Sequence, residues 1–352
     1  MAEQQNTSGG KTRKFVIALV GIIILALIIT GINYYLRYWG PNVTGNQEYL
    51  YIHTGDTFED VYQTIQKEKI VRDTTTFLWS AHNMNYVNGR IKPGKYKLKE
   101  GMNNRHFINM LKAGNQAPVS LKFHNLRLKG QFAKFISTQL EPDSASISRL
   151  LDSAAFIEKY GFNTDNVYTM FLPNSYQLYW NTTPEKFFKR MYGEYEKFWT
   201  PERKQKAAAL NLTPVQVSIL ASIVDAEASH DDEMPTIAGL YLNRLKKGMK
   251  LEADPTVIFA TGDFTIKRVL NKYLVNPSPY NTYQHTGLPP GPIMMPSVNA
   301  VKAVLDYKQH NYIYMCAKED FSGYHNFADN MAQHQANAHR FQQALNERGI
   351  KR

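Results

Sequence analysis

The sequence predicts an α+β protein: one N-terminal transmembrane helix, a small βααβ module, then a larger mixed α+β domain. Three observations lead to this. An apolar run without a single charge occupies 15–36, residues 48–114 read in the order strand, helix, helix, strand, and residues 115–352 mix amphipathic helical patterns with strand-like runs and a proline-rich loop.

The apolar run FVIALVGIIILALIITGI continues through Asn33, Tyr34, Tyr35 and Leu36 before Arg37 interrupts it. About 20 such residues span a bilayer core as a helix. Lys11, Arg13 and Lys14 precede it, and positive flanks stay inside. Residues 1–14 are therefore expected as a cytoplasmic tail, 15–36 as the span, and the rest on the extracytoplasmic or periplasmic side of the cytoplasmic membrane. Tyr34, Tyr35, Tyr38 and Trp39 follow as an interfacial aromatic belt would. No small-x-small cleavage site follows the run, so it is read as an anchor that is kept. Residues 37–47, with PNVTGNQ at 41–47, read as a polar linker punctuated by Pro, Gly and Asn.

EYLYIHT (48–54) has the β-branched and aromatic content of a strand. Asp56 and Thr57 offer a cap to a helix whose Phe58, Val61, Ile65 and Ile70 share a face, and a second helix is expected from Asp73 to about Met84. A turn at 92–94 leads to the strand-like KYKL. Residues 48–114 thus resemble in pattern a LysM module, the small fold found in many peptidoglycan-binding proteins.

Residues 115–352 open with a strand at 119–123, followed by helical patterns at about 130–140, 146–160 and 184–210. With 43% hydrophobic and 20% charged residues the chain is that of a folded protein, and its single cysteine, Cys316, excludes an intrachain disulfide. The formal charge is +11, of which the tail carries only +2. Such a surface favours anionic lipid headgroups or an acidic wall polymer, and an outward-facing domain is not expected to meet nucleic acid.

TPVQ at 213–216 is a helix start, with Thr as N-cap, Pro at the first helical position and Gln completing a capping box. On the helical wheel that follows, Leu220, Ile223 and Val224 fall within about 60° of Glu227, while Asp225, Ser218 and Ser222 are expected on an opposite, polar side. A carboxylate in an apolar stripe costs several kcal/mol unless it is paired, protonated or open to a pocket. Burial also raises its pKa toward that of a general acid. A buried ion pair with Arg244, or a stripe that ends one turn early, would account for the same pattern.

A helix with Asn243 and Arg244 near its end comes next, then LEADPT, where Pro255 biases Asp254 toward extended backbone. NPSPYNTYQHTGLPPGPIMMP (276–296) holds six prolines and two glycines, a rigid loop too long for a simple connection. Its Tyr280, Asn281, Tyr283, Gln284 and His285 combine flat apolar faces with neutral hydrogen-bonding groups, a mixture suited to sugar rings and acetamido groups. Other chemistries are set aside. GGKT at 9–12 lacks the earlier glycine and strand of a phosphate loop, there is no His-Glu-x-x-His or Gly-x-Ser-x-Gly, and His334 and His339 lie five apart. No metal and no cofactor is expected; what remains is carboxylate chemistry on a neutral, polar substrate.

LASIVDAEA (220–228), NRL (243–245), GM (248–249), DPT (254–256), SPYNTY (278–283) and GLPPGPI (287–293), taken in order, resemble the endolytic murein transglycosylases of the MltG/YceG type. The likeness runs across about 48–346. Members of that family often carry Glu at the position of Asp225, and the face argument assigns the acid to Glu227. The resemblance implies a lyase whose catalytic domain, 115–352, cuts the MurNAc–GlcNAc bond inside peptidoglycan strands without water, leaving 1,6-anhydro ends. It also implies cell-wall synthases as membrane partners. Glu227 would be general acid and then base, with Asn243, Arg244, Asp254, Thr256, Tyr280, Asn281 and Tyr283 binding the sugar. A hydrolytic muramidase using Asp254 or Glu252, and a non-catalytic wall-binding scaffold, are the rival readings.

Overall fold

The structure, a computed structural model, describes residues 8–123 and 126–349; residues 1–7 of the expected tail, and 124, 125 and 350–352 of the larger domain, lie outside the described residues. The chain packs as two compact units, one running to Val119 and taking in Tyr179–Asn181, the other made of Ser120–Leu178 and Thr182 onward.

The first unit begins with α1 (Ser8–Trp39). Within Arg13–Trp39 an 18-residue window has a mean hydropathy of 3.1 and none of that window is buried, so the helix is long and apolar enough to cross a membrane. Segment 37–47, expected as a tether, is packed instead. The Arg37 carbonyl accepts from Ser80 Oγ (3.1 Å) and Asn104 Nδ2 (2.9 Å), and Trp79 lies edge-on to Tyr34 and Tyr38. Asn42, only 4% exposed, donates to the Asp73 carbonyl and to Asn104 Oδ1 while accepting from the Asp73 N–H. A polar composition reads as a loop, but here the polar groups reciprocate with the ends of neighbouring helices, which buries them without leaving a donor unmet.

The rest of this unit is β1 (Tyr49–Ile52), α2 (Phe58–Lys67), α3 (Thr74–Asn83), β2 (Gly94–Lys97) and α4 (Asn104–Ala113). The strands pair antiparallel with Leu50 opposite Tyr96. Thr57 and Asp60 form the capping box that starts α2, Asp73 caps α3, and left-handed Gly114 ends α4. Alternation along β1 sends Leu50 and Ile52 inward, where Val61, Ile65, Phe77 and Phe107 meet them in a fully buried core.

β3 (Pro118–Lys122) pairs with β4 (Ser175–Tyr179), and most of both strands belongs to the second unit. Between them run α5 (Lys129–Gln139), α6 (Ser144–Leu151) and α7 (Ala154–Ile157). The helix expected over 146–160 is therefore broken, because Asp152 and Ser153 leave the helical path before α7 and a short 3₁₀ turn stops at left-handed Gly161. That expected over 184–210 is likewise two, α8 (Pro184–Phe198) and α9 (Pro201–Ala209). Pro201 has no N–H to give and forces Thr200 into extended backbone, from which Thr200 caps α9.

Then come α10 (Pro214–Glu227), α11 (Met234–Lys246), α12 (Asp254–Thr261), α13 (Asn271–Leu274), α14 (Val298–Leu305), the antiparallel hairpin β5 (Tyr314–Ala317) and β6 (His325–Ala328), and α15 (Met331–Glu347). The capping box at Thr213 and Gln216 starts α10 as expected. Its polar side does not exist. Every residue over 217–224 is buried, because α9, α11, α12 and α14 pack around the helix. The two serines survive there by bonding: Ser218 donates to the Pro214 carbonyl, and Ser222 donates to that of Ile219 while accepting from the Ile293 N–H.

Candidate active site

Glu227 is the last residue of α10, where the buried helix runs out into a cleft of about 550 Å³. Tyr241, one helix on and 2% exposed, donates its hydroxyl to Glu227 Oε1 at 2.9 Å. Burial pushes the Glu227 carboxyl up to about 7; the Tyr241 bond pulls against this and the nearby Asp254 charge adds to it. Among the described residues no ion pair neutralises the group. Arg244 instead joins Glu252, and donates to the Lys250 and Ile313 carbonyls. Asp225, two residues before Glu227, is held as structure by the N–H and hydroxyl of Ser297, which caps α14.

Asp254 is the first residue of α12 and accepts from the Tyr283 hydroxyl at 2.7 Å. Burial raises its carboxyl, against the pull of that bond. The Tyr283 hydroxyl is driven far above its usual range by burial and by the Asp254 charge, so it stays protonated and remains a donor. Glu252 reaches the cleft from backbone at φ +52°, a left-handed conformation that a glutamate rarely adopts. Its bond to Arg244 and its N–H to the Thr282 carbonyl hold it there.

Of the residues expected to bind sugar, Arg244, Asp254 and Tyr283 line the Glu227 cleft. Asn243 points elsewhere, donating to the His310 and Tyr312 carbonyls. Thr256 and Asn281 are wholly buried; Thr256 bonds the Ala253 carbonyl and Thr282, and Asn281 bonds the Leu274 and Asn276 carbonyls, so both hold the loop behind the cleft. Tyr280 packs on Phe259, and Gly291 approaches it so closely that a Cβ there would lie 2.1 Å from the Asp165 carbonyl oxygen. This gives GLPPGPI a packing reason for its second glycine.

Sequence reasoning missed Tyr241 as a cleft residue, although it stands three before Arg244 and so on the same face of α11, and a buried phenol needs a partner. It missed Tyr314, His325 and His334 as well, which form the facing wall from β5, β6 and α15. A larger cavity of about 1060 Å³ is lined by 287–290, Asn211 and Thr213 but carries no carboxylate, so the chemistry is assigned to the smaller cleft. Among the described residues no group of three or more His, Cys, Asp or Glu is placed to hold a metal ion. Tyr241→Phe removes a donor that favours the carboxylate, so the Glu227 pKa is expected to climb further above about 7. Titration of that carboxyl by infrared difference spectroscopy checks it, and an unchanged or lower value contradicts the geometry.

Comparison with known proteins gives a consistent family. The model of the YceG-like family matches residues 50–340. A Bacillus subtilis (strain 168) protein named endolytic murein transglycosylase is 43% identical over 101 residues, 29% of this chain and 28% of that one. A Streptococcus pneumoniae (strain D39) protein of the same name is 24% identical over 362 residues, 92% of this chain and 64% of the relative. The chain thus spans less than two thirds of the length of these relatives. A crystal structure of a yceG-like protein from Listeria monocytogenes has the same fold, with a TM-score of 0.55 at 23% identity, over 82% of this chain and 98% of that one.

Proposed function

The chain belongs to the YceG-like family, and from that premise we propose that it is a membrane-anchored endolytic lytic transglycosylase. It cuts the MurNAc–GlcNAc bond within peptidoglycan strands. The observation that carries this is Glu227, a half-buried carboxyl with no ion-pair partner among the described residues, pushed up to about 7 by burial beside a cleft. A group at that pKa can give a proton and take one back at neutral pH. In the first step Glu227 protonates the bridging oxygen as the C1–O bond breaks, and the N-acetylglucosamine side leaves as an alcohol. In the second, the Glu227 carboxylate accepts the proton of the muramyl C6 hydroxyl while that oxygen bonds to C1. The product is a 1,6-anhydro ring, Glu227 is protonated again, and no water is consumed. An attacking hydroxyl already on the sugar brings the orientation advantage that a free water lacks.

Tyr241 orients the Glu227 carboxyl, and Asp254, held by the Tyr283 hydroxyl, offers acceptor lone pairs to sugar hydroxyls. Asn243, Thr256, Tyr280 and Asn281 act through the walls they support. In the first unit the paired β1 and β2 with α2 and α3 between them support the LysM-like reading and, with it, glycan binding. The exposed apolar helix supports a single-pass anchor, and Arg13 and Lys14 before it support an inside N-terminus. Cutting beside the membrane would limit the length of nascent strands as the synthases extend them.

Asp254 in the same cleft favours one rival, hydrolysis by a second carboxylate acting on water. Mass spectrometry of purified, uncrosslinked glycan strands after digestion separates the two. Anhydromuramyl ends are expected, and reducing ends with one added water would replace this reading by a muramidase.

A further inference from the structure

The cleft has a second built group that the proposed chemistry does not use. Glu233, the residue before α11, is 6% exposed, and both of its oxygens are taken by one residue: Oε1 by the His325 N–H and Oε2 by His325 Nδ1, each at 2.8 Å. A carboxylate at a helix N-terminus is favoured as the anion. Facing that carboxylate, Nδ1 carries a proton, and Nε2 is the ring nitrogen left for a ligand. His325 lines the same cleft as Glu227, and no hydrogen bond to its Nε2 is found among the described residues.

We propose that His325, oriented by Glu233, is a substrate-contacting residue whose Nε2 hydrogen-bonds a hydroxyl or acetamido group of a sugar seated in the Glu227 cleft. Glu233 is a positioning residue: it crosses from the start of α11 to β6 and holds the ring at a fixed angle, as an orienting carboxylate does for a base or ligand histidine.

This rests on the transglycosylase reading, and binding separates the two. The full-length chain carrying Glu227→Gln, reconstituted in detergent, is titrated with purified uncrosslinked glycan strands, with and without His325→Phe or His325→Gln. The phenyl ring keeps the shape and loses the polar nitrogen, whereas a glutamine amide can reach the place of Nε2 with both a donor and an acceptor. His325→Phe is expected to weaken binding about 10-fold, the size of one lost hydrogen bond of this kind, and His325→Gln to recover most of it. Equal affinity in all three overturns the proposal, and so does a loss in the Phe variant that Gln leaves uncorrected. Residual cleavage by Glu227→Gln would remove the acid from its role without touching this result.

Discussion

Glu227→Gln is expected to lower the rate of glycan cleavage by about 10³-fold, the scale on which a single general acid and base acts. The amide keeps the size of the group and its contact with Tyr241 but can neither give nor take the proton. Counting new anhydromuramyl ends per unit time measures it, and a variant that keeps a tenth of the activity or more ends the role assigned to Glu227. In the unmodified protein kcat/KM is expected to fall as pH rises through about 7, since the free enzyme must enter the reaction with Glu227 protonated. The same carboxyl makes stability depend on pH. Its folded pKa lies above the ordinary 4.5, so between these values the folded state binds more protons than the unfolded one and stability declines as pH rises. Up to about 3 kcal/mol is lost across that window, all of it present at pH 4 and gone at pH 8. Glu227→Gln should accordingly unfold at a higher temperature than the parent at pH 8, with the difference closing toward pH 5.

The residues that made this site legible were those whose local pattern conflicted with their surroundings. TPVQ fixed where α10 begins, and a run of apolar residues leading to Glu227 marked the acid as out of place. The reason given by the helical wheel was nevertheless incomplete. Ser218 and Ser222 are as buried as Leu220, so the helix has no solvent face over 217–224, and Glu227 is singled out by standing at the end of that buried stretch where the cleft opens. Periodicity cannot show this, because it reports one helix and not how many neighbours surround it. Pro201 was visible within a single run of helical pattern, yet its effect was underestimated because the residues on both sides keep a high helix propensity. The facing wall of the cleft was silent. His325 and Glu233 stand 92 positions apart, and a contact of that separation leaves no spacing to read in one sequence. For the same reason Asn243 and Asn281 looked like sugar ligands, when their amides bond carbonyls that only the folded chain brings near.

Arg244→Met is expected to destabilise the second unit by about 3 kcal/mol, a larger effect than its loss from substrate binding would produce. Arg244 is 7% exposed and spends donors on three acceptors in two segments: Glu252 and the Lys250 carbonyl in one, the Ile313 carbonyl at the entry to β5 in the other. Methionine fills the volume and takes the Arg244 donors away from one buried carbonyl, one part-buried carbonyl and a carboxylate, at about 1–3 kcal/mol for a fully buried group and less where water can enter. Glu252 suffers least, being the most exposed of the three, but it would also lose the contact that holds its left-handed backbone in place. Arg244→Lys should recover less than half, because one ammonium cannot reach three acceptors that a planar fork spans. Hydrogen exchange at β5 and at residues 250–256 measures this more directly than a melting curve, since the chain has two units and need not unfold in one step. Faster exchange in both segments together identifies Arg244 as the strut between the Glu227 side of the cleft and the His325 side. Unchanged exchange with a raised KM would instead make it a ligand of the sugar, and the wall would have to be held by something else.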